Sequence, residues 1–184
     1  MKLSLLSILL GLGMAMPQVY GLTQPQKFAA AVRRFPRNLP FGVALMLLGT
    51  AWFVWNVHNE SVSDFASFKP AMMLGFAVIG GLCCVFVQDF LAVRGLAVVM
   101  LLLAKLMVDT GRPHLGQTHW VWVIQTWAYG LVIAGMWFTV TPWKLRDLLE
   151  WGTATETRVR IGSTLRLAFA IFIVLLGLTA FRAM

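Results

Sequence analysis

Few side chains in this 184-residue chain could carry chemistry. The three histidines are His58, His114 and His119. An imidazole can ligate a metal or move a proton near neutral pH. All three fall in or beside short polar stretches between apolar segments, and no ligand spacing links them. No metal, haem or other cofactor is expected. The two cysteines, Cys83 and Cys84, are adjacent inside an apolar run. Neighbouring cysteines rarely pair, and no metal-ligand spacing accompanies them, so they read as small packing residues. Gln88, Asp89 and Arg94 would form a polar site if buried; their clustering reads instead as a surface turn. Gln125 stands within an apolar stretch at membrane depth, where one glutamine serves an interhelical hydrogen bond more readily than a transport path.

The densest charged cluster holds Lys105, Asp109 and Arg112, with His119 following. Lys105, Arg112 and Pro113 have the spacing K-x6-R-P. This resembles the first signature of the type-2 phosphatidic acid phosphatase family. The resemblance implies that Lys105 and Arg112 hold a phosphate, with later P-S-G-H and S-R-x5-H signatures supplying the histidines. Those signatures are missing: Gly116, Gln117, Thr118 and His119 do not spell the former, and no histidine follows His119. The residues also have a plain reading. Lys105 can pair with Asp109 at i+4, and Arg112 with Pro113 ends a helix. Catalysis is not expected. A weak anion or polar site of Lys105, Asp109, Arg112, His119 and Gln125 remains to be located.

The elements that must position these residues follow from composition. The hydrophobic fraction is 59%, the charged fraction 12% and the mean hydropathy +0.79. Soluble domains carry about 25% charged residues, so a soluble fold could not hide this much apolar surface. An all-α membrane bundle is expected, as one integral domain. A spanning helix needs about 20 apolar residues. Six such segments occur, at 3–22, 40–57, 71–87, 91–108, 119–141 and 163–181. Lys2 and the apolar run 3–16 have the regions of a signal peptide. Met14, Ala15 and Met16 before Pro17 offer no small-x-small cleavage site, so the segment reads as the first span, kinked at Pro17.

The net charge is +8. Its basic residues gather in two linkers: Lys27, Arg33, Arg34 and Arg37 in one, Lys144, Arg146, Arg158 and Arg160 in the other. Such clusters suit anionic lipid headgroups rather than nucleic acid. With six crossings, both linkers and Arg94 share one side. The positive-inside rule makes that side cytoplasmic and puts both termini outside. Trp52, Trp55, Trp120 and Trp122 then mark the outer interface, and Trp137, Trp143 and Trp151 the inner one; Trp127 lies between and is expected to pack.

Each linker carries an amphipathic stretch. Phe28, Val32 and Phe35 recur at i, i+4, i+7, and Leu145, Leu148 and Leu149 at i, i+3, i+4. Both predict short helices at the membrane surface, opened by Pro25 and Pro142. The two linkers also share an order: proline, x, lysine, then arginine before a glycine, Gly42 or Gly162. The spacings from proline to glycine are 17 and 20 residues. This suggests a parallel internal repeat, helix–short helix–helix in each copy, with the third and fourth spans inserted between. The second copy, from Thr141 through Gly162 to Leu178, resembles small two-helix bacterial inner-membrane proteins of unknown function. That resemblance implies a bacterial inner-membrane location and no catalytic residue. The small-residue steps Ala71/Gly75, Ala77/Gly81 and Gly130/Ala134 would let helices approach closely.

These features favour a non-catalytic scaffold or accessory subunit, with membrane lipids and other membrane subunits as partners. A small-solute or lipid transporter is the alternative. An outer-surface lipid-phosphate enzyme built on Lys105, Arg112 and His119 is third.

Overall fold

The computed structural model describes residues 2–60 and 67–182. Among these, every regular element is helical: α1 (Leu3–Thr23), α2 (Pro25–Arg34), α3 (Leu39–Asn59), α4 (Lys69–Phe86), α5 (Leu91–Gly111), α6 (Val121–Val140), α7 (Trp143–Gly152) and α8 (Glu156–Leu178). Short 3₁₀ turns cover Phe35–Arg37 and Arg112–His114. Six helices, all but α2 and α7, are long and apolar enough to cross a membrane. Six such helices are compatible with a multi-pass membrane protein.

The first five expected spans fall on α1, α3, α4, α5 and α6, with ends moved by a few residues. Residues 61–66, between the second and third expected spans, lie outside the described residues. The helix that carries the sixth expected span, 163–181, begins earlier, at Glu156, so Arg158 and Arg160 belong to a helix rather than to a linker. The cause is local. Thr155 is extended, and its side chain accepts from the Arg158 N–H at 3.3 Å, which satisfies one of the unpaired donors of a helix start. Glu156 sits in the first turn and bonds Arg160 one turn on at 2.7 Å, an orientation that favours a helix. At the other end, α8 stops at Leu178 instead of reaching residue 181.

The described residues fall into two compact units. One holds the chain up to Arg33, Leu103–Leu131 and everything from Arg146 onward. Its axis is the antiparallel pair α1 and α8. A Cβ added at Gly21 would meet Ser163, one at Gly11 would meet Ala170 and Val174, and one at Gly177 would meet Ser4 and Ile8. Small residues thus bring the two backbones together along their whole length. The N-terminal end of α1 and the C-terminal end of α8 therefore share one end of this unit, and α2 and α7 lie at the other. Trp127, expected to pack, meets the Phe169 ring edge-on at 5.3 Å.

The other unit holds Arg34–Leu102 and Val132–Leu145. Here α3 and α4 are antiparallel, with Phe53 against Phe76 and Thr50 against Gly80. Helices α3 and α5 run parallel: Gly42 packs on Leu91 and Ala92, Gly95 on Leu45 and Met46, and Gly49 on Val98. The tight turn expected between the third and fourth spans is present, and Phe90 there adopts φ 54°. That left-handed conformation costs energy for a residue with a Cβ. It lets α5 start one residue later against the glycine-lined face of α3.

Candidate functional site

The acidic and basic residues of α5 stand where the i+4 rule puts them. Lys105 Nζ donates to Asp109 Oδ2 at 2.7 Å. Arg112 opens the 3₁₀ turn that follows α5. The side chains of Arg112 and His119 meet no hydrogen-bond or ion-pair partner among the described residues, and His114 Nδ1 is 3.0 Å from Gln117 Oε1. Among the described residues no group of histidine, cysteine and carboxylate side chains could hold a metal ion. Gln125 is 3% exposed, and its Nε2 donates to the Val108 carbonyl at 3.3 Å. This is an interhelical hydrogen bond of the kind its sequence position suggests. It sits in the second turn of α6.

The expected headgroup contacts divide into two groups. Arg33 Nε donates to Thr153 Oγ1 at 2.8 Å and its Nη2 to the Thr153 carbonyl. Arg146 bonds Asp147 at 2.8 Å, and that carboxylate raises the guanidinium pKa above its ordinary value. Arg158 donates to the Trp151 carbonyl at 3.2 Å and lies over the Trp151 ring, and Arg160 is paired with Glu156. Lys27, Arg34, Arg37 and Lys144, by contrast, meet no partner among the described residues, so their charge is available to the surroundings.

The bonded arginines build something the sequence did not announce. Arg33 ties α2 to the end of α7, and Arg158 ties α8 to the same end. These struts hold open a cleft of about 520 Å³ between the short helices and the α1–α8 pair. Phe28 and Val32 of α2 and Leu148 and Leu149 of α7 turn their apolar faces to it. Four of the six residues of the expected amphipathic pattern, Phe28, Val32, Leu148 and Leu149, thus line the cleft. Its polar lining includes Gln18, Arg158 and Arg166. Gln18 is 7% exposed, and its Oε1 has no hydrogen-bond partner. The register of α1 on α8 puts it level with Arg166. Arg166 has no partner among the described residues either.

Sequence reasoning passed over Gln18 and Arg166. The signal was present: Arg166 is a lone charge inside an apolar span, which by default marks a functional position.

No family model, no curated protein and no solved structure matches this chain.

Proposed function

We propose that the chain is a non-catalytic integral membrane protein, a scaffold or accessory subunit of a larger membrane assembly, seated in a bacterial inner membrane. The observation that carries this reading is the open face of α4. Only 6% of its apolar window is buried within the chain, the least of the six spans. Ala71, Gly75 and Ala77 are exposed along it. A Cβ added at Gly75 or Gly81 would meet no atom within 4 Å. On α1, by contrast, Gly11 and Gly21 are taken up by close packing against α8. Small residues that meet no other helix among the described residues suit docking of another membrane helix.

The basic linkers set the orientation. With six crossings they lie on the cytoplasmic side, α2 and α7 rest at the headgroup level, and both termini lie outside. The free charges of Lys27, Arg34, Arg37 and Lys144 then meet anionic headgroups. Extraction in mild detergent followed by native mass spectrometry tests the reading. A second membrane chain retained at fixed stoichiometry supports it, and a stable monomer argues against it. Lipid transport has one supporting feature, the cleft, and predicts instead that purified protein in vesicles moves lipid between leaflets.

A further inference from the structure

We propose that the cleft is a binding site for one anionic phospholipid with a hydroxylated head group, its phosphodiester held by Arg166, with Arg158 adding positive charge to the lining, and its acyl chain along the apolar walls. This goes beyond the scaffold reading and does not rest on it.

Charge makes the first argument. Arg166 lies ten residues into α8, about 15 Å along the axis from Glu156. Arg166 is exposed; a guanidinium within the apolar part of a spanning helix favours a counter-charge, and no described residue supplies one. Its Nη1 lies 3.8 Å from the position of a Gly162 Cβ. The side chain therefore leans one turn toward the helix start, as helical side chains do. Arg158 stands about 6 Å further along the axis from Gly162, braced by Trp151. Arg158 and Arg166, about 12 Å apart along α8, both line the cleft, and no acidic residue does. Guanidinium forks match phosphate oxygens. A zwitterionic lipid would bring an ammonium that finds no carboxylate here.

The rest of the cleft selects the rest of the ligand. The Gln18 Oε1, buried and unpartnered, is an acceptor that lacks a donor, and leaving such an atom unpaired is costly. A head-group hydroxyl would donate to it. The walls formed by Phe28, Val32, Leu148, Leu149 and Leu165 are apolar and suit a hydrocarbon chain. The volume lies within the range of about 300–1,000 Å³ typical of ligand pockets.

The full chain, purified and delipidated in detergent, would be titrated with phosphatidylglycerol, phosphatidylcholine, palmitate or inorganic phosphate, and bound molecules counted by native mass spectrometry. One phosphatidylglycerol should bind, with phosphatidylcholine at least tenfold weaker. Arg166→Gln should weaken phosphatidylglycerol binding at least tenfold. Gly162→Leu, which narrows the cleft and keeps both arginines, should do the same, while Arg37→Gln binds like the parent protein. Undiminished binding by Arg166→Gln and Gly162→Leu would overturn the proposal. So would palmitate, inorganic phosphate or phosphatidylcholine binding as tightly as phosphatidylglycerol.

Discussion

Arg33 fastens α2 to α7 through two hydrogen bonds to a single residue, Thr153. A hydrogen bond to a charged group contributes about 1.5–3 kcal/mol when shielded and less where water competes. Arg33 is partly exposed, so Arg33→Ala should lower unfolding stability by about 1 kcal/mol, measured by thermal or SDS denaturation in detergent. Arg33→Lys should recover little of it, because one ammonium cannot reproduce the two-pronged contact. Single residues also show what sequence could convey. Lys105 with Asp109, and Gln125 bonding a neighbouring helix, were legible because local spacing or lone polarity implied their partners. Gln18 and Arg166 were not, because their meaning depends on the α1–α8 register and on a cleft closed by α2 and α7, which lie far apart in the chain.

At the scale of elements, the α1–α8 pair makes sharp contrasts. A Cβ at Gly11 would sit 2.8 Å from the Ala170 carbonyl oxygen, whereas Gly13 has nothing within 4 Å. Gly11→Ala should therefore destabilise by about 1–3 kcal/mol through overpacking. Gly13→Ala should be neutral or stabilise by up to about 1 kcal/mol through helix propensity. Chemical denaturation of the two variants side by side checks both. Thr155→Ala should fray the start of α8, at about 1 kcal/mol for a lost cap, visible as faster hydrogen exchange at Arg158. The six long helices were legible because apolar runs near 20 residues announce themselves. The start of α8 was not: Arg158 and Arg160 read as linker charge. The signal that would have found it was Thr155 followed by Glu156, a cap and an acid at a helix start.

At the scale of the whole molecule, charge and apolar surface are both unevenly spread. The two basic linkers imply an orientation that labelling can test. A cysteine at Lys27 or Lys144 should react with an impermeant maleimide only after the cells are opened, and a cysteine at His114 should react in intact cells. The reverse pattern would invert the topology. The scaffold reading depends on the open face of α4. The measurement that tests it most directly is photo-crosslinking in living membranes, with the probe at Gly75 and, as control, at Ile133 of α6, which is also exposed. The account predicts one discrete crosslinked protein species from Gly75 and none from Ile133. Equal, diffuse labelling from both positions, or lipid adducts alone at Gly75, would contradict it.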